Sequence, residues 1–455
     1  MFEFSRELKR LLVTDGPRDG VTRGDASLLE VLDLTLLRAE ARAADVAAGR
    51  VSARDPAQRR LDAAHVWREL ARRTGDVIAL RKAAESAEKA ADGFKRDNRV
   101  KGWAAARCAQ AEAAMLGAEL YGDEGLNAAA ATALADVRKA APSSAAGAVA
   151  CALQARLAAA QALAGTDPDA VRAAASGFDA PIAALEGHLR GRGVAKAEVA
   201  AVICDRAEVL MAAAARLKDY TLYEDAIRVL DRLALRLDPA YEPLTWTRAR
   251  ELAGAARAAI GEMHGLIEDI AAGVEAMVEA LDAAGPNHSP LDWARLHHAL
   301  ALALQNLGEA SDCDRAFEHA LGAYDRALGS IRDQPALLLR AAMAHNRAGC
   351  LARRAEMAAD PAMLDEAVNL LRCELAAAPP ALDPVAWAVA QVNLARLYEA
   401  RSALPGARKD GRSAAVLALS AALDVFGEHG LRTLSDQAAR ALARLTAPGT
   451  RPVAG

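Results

Sequence analysis

The chain has 455 residues, a formal net charge of −4 and 53% hydrophobic residues, yet aromatics are only 4% of the sequence. Much of the rest is alanine, the best helix former and a side chain that buries little area, and the period-two runs of Val, Ile and Thr that a sheet needs are missing. The near-neutral charge gives no global reason to expect a nucleic-acid partner, and no stretch approaches about 18 apolar residues free of charge, so no membrane span is expected. The six cysteines stand singly with no CxxC pair, which is the usage of a reducing compartment and reads as cytoplasmic.

In chain order, "MFEFSRELKRLL" opens an N-terminal amphipathic helix and loop over 1–20, without the continuous apolar region of a secretory signal. Phe4, Leu8, Leu11 and Leu12 share one face, with Arg6, Lys9 and Arg10 beside it. That face either packs on "LLEVLDLTLLRAEA" at 28–41 or lies on a membrane surface through residues 2–12. Residues 21–198 read as degenerate Ala-rich helical repeats. Within them "GFKRDNRVKGW" at 93–103 sets Lys95, Arg96, Arg99 and Lys101 beside Trp103. Such a stretch can contact phosphates and a stacked base, but Asp92 and Asp97 dilute its charge and a solvated loop is the plain reading. "PSSAAG" and the "GRG" of 191–193 mark irregular turns.

From 199 to 430 the chain repeats itself every 47 residues. Trp246, Trp293, Arg340 and Trp387 occupy one register, although the chain holds only 5 Trp. Amphipathic segments at 222–235, 269–282, 316–329 and 363–376 each carry a small residue 20 before that slot: Ala226, Gly273, Ala320 and Ala367. The interval recurs from Ala83 to Trp103, and the register extrapolates back to slots near 150–152, 103, 56 and 9, giving about eight pairs. A fixed period of this size signals stacked supersecondary units that cannot bury their apolar faces alone. The breakers "DPAYEP", "GPNHSP" and "PPALDP" separate the units, and Trp293 and Trp387 are expected to be largely buried between adjacent repeats. Residues 431–446 read as a capping helix and 447–455 as a disordered tail.

"WAVAQVNLARLYEA" at 387–400, followed in the register by "LDEAVNLL"-type helices, resembles the tetratricopeptide repeat, in particular a longer bacterial variant of it. Trp387, Ala388, Gln391, Asn393 and Leu394 match the first helix of that motif, with Ala395 in place of Gly, although the period exceeds the family's usual ~34 residues. The resemblance implies an all-α fold, a right-handed superhelical solenoid of antiparallel helix pairs whose first helices line a concave groove. It further implies a partner protein or peptide bound there, with Asn and basic side chains gripping it. Asn393 matches the motif's Asn and Asn346 falls in its slot, whereas Ala299 and Leu252 fill the slot in the preceding repeats. Neighbouring partner-binding candidates are Arg248, Arg295, His298, His345, Arg353 and Arg396, which suit an acidic or C-terminal segment because a guanidinium takes a carboxylate in bidentate fashion.

No constellation of residues points to catalysis, a metal or a cofactor: GxxxxGK[ST], HExxH, GxSxG and a complete EF-hand loop are all missing. His298 and His345 stand 47 apart and read as polar groove residues, and the cysteines as small buried ones. The expected function is a non-enzymatic interaction scaffold or adaptor. The alternative is a peripheral membrane or polar-localised adaptor addressed by the N-terminal helix.

Overall fold

The computed structural model describes residues 27–447 apart from 51–54, 166, 191–195, 284, 333, 335, 378–379, 381–383, 405 and 407–410. The N-terminal helix expected over 1–20, the turn at 191–193 and nearly all of the tail lie outside the described residues. Among those described there is no strand. The helices are α1 (Ser27–Glu30), α2 (Leu34–Ala48), α3 (Pro56–Thr74), α4 (Val77–Arg96), α5 (Val100–Tyr121), α6 (Glu124–Ala140), α7 (Ala145–Ala164), α8 (Pro168–Ser176), α9 (Asp179–Arg190) and α10 (Lys196–Leu217). There follow α11 (Tyr220–Ala234), α12 (Pro243–His264), α13 (Ile267–Ala280), α14 (Pro290–Ser311), α15 (Asp314–Ser330), α16 (Leu337–Met357), α17 (Pro361–Ala377), α18 (Pro384–Ala403), α19 (Gly411–Glu428) and α20 (Arg432–Thr446). The chain is therefore all-α, and its helices pack in consecutive pairs, as in α3 with α4, α12 with α13 and α18 with α19.

The 47-residue register is a register of helix starts. The first helices of five successive pairs begin at Lys196, Pro243, Pro290, Leu337 and Pro384, and their partners begin at Tyr220, Ile267, Asp314 and Pro361. Local chemistry sets many of these starts. Proline occupies the first helical position of α3, α8, α12, α14, α17 and α18, where no intrahelical N–H is lost. Asp33, Asp55, Asp76, Asp123 and Asp219 accept hydrogen bonds from orphan backbone N–H groups at their helix N-termini. Pairs approach closely because small residues face each other. A Cβ on Gly254 of α12 would lie 2.7 Å from the carbonyl oxygen of Gly273 in α13, the small residue singled out by the register. The irregular 140–198 region keeps its first helix, α7, but replaces the second by the two short helices α8 and α9.

Trp103, Trp246, Trp293 and Trp387 are half-buried rather than buried. Each is the fourth residue of its helix, so it sits in the first turn at the end of its pair. The buried tryptophan is Trp67 of α3, which lies outside the register, with the Lys82 ammonium 4.2 Å from its ring centre. Among the described residues one helix, α7, is long and apolar enough to cross a membrane by length and composition. Yet Arg156 lies in its middle and pairs with Glu119 of α5 at 3.0 Å.

The chain divides into two compact units, 1–303 with 330–336, and 304–329 with 337–455, the first boundary falling inside α14. In an open solenoid each repeat meets only its neighbours. In the first unit the two ends meet. Arg72 of α3 donates to Asp292 of α14 at 2.8 and 3.0 Å, and the Leu34 amide donates to the Asn287 carbonyl at 3.2 Å. Glu30 is buried and accepts hydrogen bonds from the amides of Leu244 and Thr245 at 3.0 and 2.9 Å, in the first turn of α12, where the helix dipole favours a carboxylate. Arg73, 0% exposed, donates to the carbonyls of Leu29 and Leu32 at 2.6 Å each and to Glu69 at 2.6 Å, which ties the strap of residues 29–34 onto α3.

Candidate functional site

The structure distributes the eight candidate residues over both units. Arg248, Arg295 and His298 belong to the first; His345, Asn346, Arg353, Asn393 and Arg396 belong to the second.

In the first unit, ion pairs join the first helices side by side. Arg68 of α3 pairs with Glu112 of α5, and Glu119 of α5 with Arg156 of α7. Arg156 lies 3.9 Å from Asp205 of α10, and Arg248 of α12 reaches Asp205 at 2.7 Å and Glu208 at 2.8 Å. Arg295 of α14 meets Glu119 at 2.9 Å and Asp292 at 3.3 Å, and Asp292 meets Arg72 at 2.8 Å, returning the circuit to α3. Burial alone would raise the carboxyls of Asp205 and Asp292. The guanidiniums of Arg156 and Arg248 for the first, and of Arg72 and Arg295 for the second, hold them below the usual range. Arg248 and Arg295 were expected to grip a partner's carboxylate; they are instead engaged by the chain's own acids.

Glu251 of α12 is the exception in this circuit. It has no ion pair among the described residues, and its pKa is pushed up to about 8 by burial and by the neighbouring Asp292 and Glu208, against the pull of Arg295 and Arg248. Burial also holds His298 down at about 4, so its imidazole is neutral at pH 7. His65 of α3 is lowered to about 3 by burial and the adjacent Arg68. The buried thiols of Cys204 and Cys350 are pushed up to about 12, mainly by burial, so neither is a thiolate at neutral pH.

The register held a signal for Glu251: it occupies the slot that carries His298 and His345 one and two periods later. Asp205 likewise occupies the slot of Asn346 and Asn393, four periods before the latter. Glu30 and Arg72 carried no such signal, because Leu244, Thr245 and Asp292 lie more than two hundred residues away from them.

In the second unit the candidates sit on α16 and α18. Asn393 is buried at 5% exposure and shares a side-chain hydrogen bond with His345. His345 is half-buried, and its pKa is lowered by burial and by Arg396, against the hydrogen bond that the ring donates to Asn393. Asn346 is half-buried. Arg353 is exposed but engaged by Glu309 at 3.2 Å and Glu356 at 3.5 Å. Arg396 is exposed and has no ion pair among the described residues. Its guanidinium lies over Gly349 of α16, where a Cβ would come within 2.8 Å of a terminal nitrogen. Among the described residues no group of three or more His, Cys, Asp or Glu is placed to hold a metal ion.

No protein-family profile matches the chain, and no curated protein matches it significantly. Among solved structures it is similar to a circular tandem repeat protein with novel repeat topology and enhanced subunit contact surfaces, at 13% identity and a TM-score of 0.29, covering 90% of this chain and 95% of that one. It is also similar to yeast Tom70, at 14% identity and a TM-score of 0.20, covering 90% and 96%. A third similarity is to a chain of Naa15/Naa10 bound to HypK-THB, at 11% identity and a TM-score of 0.15, covering 98% and 94%. Values of this size carry no functional inference; the all-α repeat fold stands on the helices themselves.

Proposed function

We propose that the chain is a non-enzymatic scaffold of tetratricopeptide type, and that an acidic or C-terminal segment of a partner protein docks on the α16 and α18 face of its second unit. The carrying observation is Arg396. Arg248, Arg295 and Arg353 already face internal carboxylates, whereas Arg396 is exposed, has no ion pair among the described residues and stands beside His345. A guanidinium held flat over a glycine presents its donor edge to a carboxylate with little ordering cost.

A fluorescein-labelled hexaglutamate peptide with a free C-terminus serves as the probe. Arg396→Ala should weaken its binding by about tenfold or more, the loss of one hydrogen bond to a charged group, with the melting temperature unchanged. Arg353→Ala should have a smaller effect. If the Arg396 variant binds the peptide as the native chain does, the docking face is wrong.

A further inference from the structure

The basic stretch around Lys95 belongs to a cleft that neither the repeat register nor the proposed docking face uses. Arg60 of α3 and Lys89, Asp92, Lys95 and Arg96 of α4 line an open cleft of about 540 Å3. Four cations face one carboxylate there.

Several cations flanking this cleft are matched by acids. Next to it, Arg59 has Asp62 at 4.0 Å, Arg99 has Asp55 at 2.6 Å and Lys82 has Asp45 at 3.2 Å. Deeper in the unit the arginines of the inner circuit all meet acids. Arg60, Lys95 and Arg96 have no ion pair among the described residues, and Arg96 reaches only the Asp92 carbonyl, at 3.4 Å. Lys89 has the exposed Glu85 at 3.6 Å. Two guanidiniums and two ammoniums converging on one space form a receptor for an oxyanion of charge beyond that of a single carboxylate.

We infer that this cleft binds a phosphate group, carried by a small molecule or by a phosphorylated side chain. Two features argue against a nucleic-acid strand. No aromatic lines the cleft, because Phe94 is buried at 0% exposure and Trp103 packs in the helix-pair core, so no base can stack. Asp92 stands in the wall, where it repels a continuous phosphodiester backbone yet can accept a hydrogen bond from a hydroxyl beside an isolated phosphate.

The test is isothermal titration of the full chain with tripolyphosphate, with a phosphoserine peptide and with a single-stranded oligonucleotide, at low salt. Saturable binding of tripolyphosphate alone assigns a small phosphorylated molecule, and binding of the phosphoserine peptide assigns a phosphorylated side chain. Either should fall at least about tenfold in an Arg60→Glu, Lys95→Glu variant, because a charge-assisted bond is lost at each position. Far-UV circular dichroism should not change, since Lys95 is exposed and Arg60 half-buried. Lys101→Glu, an exposed position outside the cleft, should bind as the native chain does. The inference is overturned if neither phosphate compound binds saturably, if Lys101→Glu loses as much as the double variant, or if the oligonucleotide binds more tightly than both.

Discussion

The two units share one register and use it for different chemistry. The slot that holds Arg248 and Arg295 in the first unit holds Ala342 and Val389 in the second. The slot of Glu251 and His298 continues as His345 and then Val392. Arg248 finds acids on the neighbouring first helix α10 and Arg295 finds Glu119 on α5, so that charge ties first helices of this unit to one another. In the second unit Ala342 is exposed and cannot pair with anything, and Arg396 is left without a carboxylate. The period fixes where a side chain stands on its helix. Whether that position becomes part of a structural network or of an open surface depends on whether complementary residues arrive opposite it.

The comparison is most severely tested at Arg73. This residue is fully buried, and it satisfies two carbonyls of the strap as well as Glu69. Arg73→Met keeps much of the volume and removes every donor, leaving Glu69 short of a partner. The cost should be about 3–5 kcal/mol, the usual range for breaking a buried pair from one side. Native-state hydrogen exchange should show α1 to α3 and the first turn of α12 losing protection, while α19 and α20 keep theirs. Uniform loss across both units would mean that the strap is not what closes the first one.

A smaller effect is expected at Glu251, and its sign follows from the direction of the shift. The folded carboxyl titrates near 8 instead of near 4.5, so the folded state prefers the protonated form. Its contribution to stability is complete below about pH 4.5 and is lost as pH rises to about 8. Asp205 and Asp292 behave oppositely: their folded values are lowered, so their contribution holds above the ordinary carboxylate range and is lost as pH falls through the folded values. Glu251→Gln should therefore raise stability at pH 9 by about 2–4 kcal/mol and change little at pH 4. Denaturant melts at the two pH values measure the difference. Equal gains at both would show that the carboxyl is ionised in the folded chain at either pH.

The helix starts were legible because they rest on local chemistry that repeats: a proline or a capping Asp, a small residue at the crossing, and a spacing of 47. The half-burial of Trp293 was not, since it depends on how far the first turn of α14 projects from its pair. Closure was further out of reach, because the small rotation between successive pairs decides whether pair one meets pair six, and no local pattern encodes it. Of the binding candidates, the register placed Arg248 correctly on a first helix but could not show Asp205 and Glu208 opposite it, since those acids lie in a repeat with no tryptophan to mark it. Arg396 could be singled out only once the partners of the other arginines were in view.

The smallest effect expected concerns Asn393, where the motif's asparagine turns out to be an internal residue. A side chain 5% exposed between α16 and α18 is poorly placed to grip a peptide, and its hydrogen bond goes to His345. Asn393→Ala should cost about 1 kcal/mol, the net worth of one such bond. The more telling readout is His345 itself. Burial and Arg396 lower its pKa while the Asn393 bond raises it, so removing the bond should drive the imidazole further below its usual range. Its neutral form would then persist to lower pH. Proton NMR titration of the ring follows this directly, with the hexaglutamate probe as the second reading. If His345 does not move and probe binding falls sharply, Asn393 reaches the partner after all and belongs to the docking face with Arg396. If His345 moves and the probe binds unchanged, the asparagine's task is to set the imidazole that stands beside that arginine.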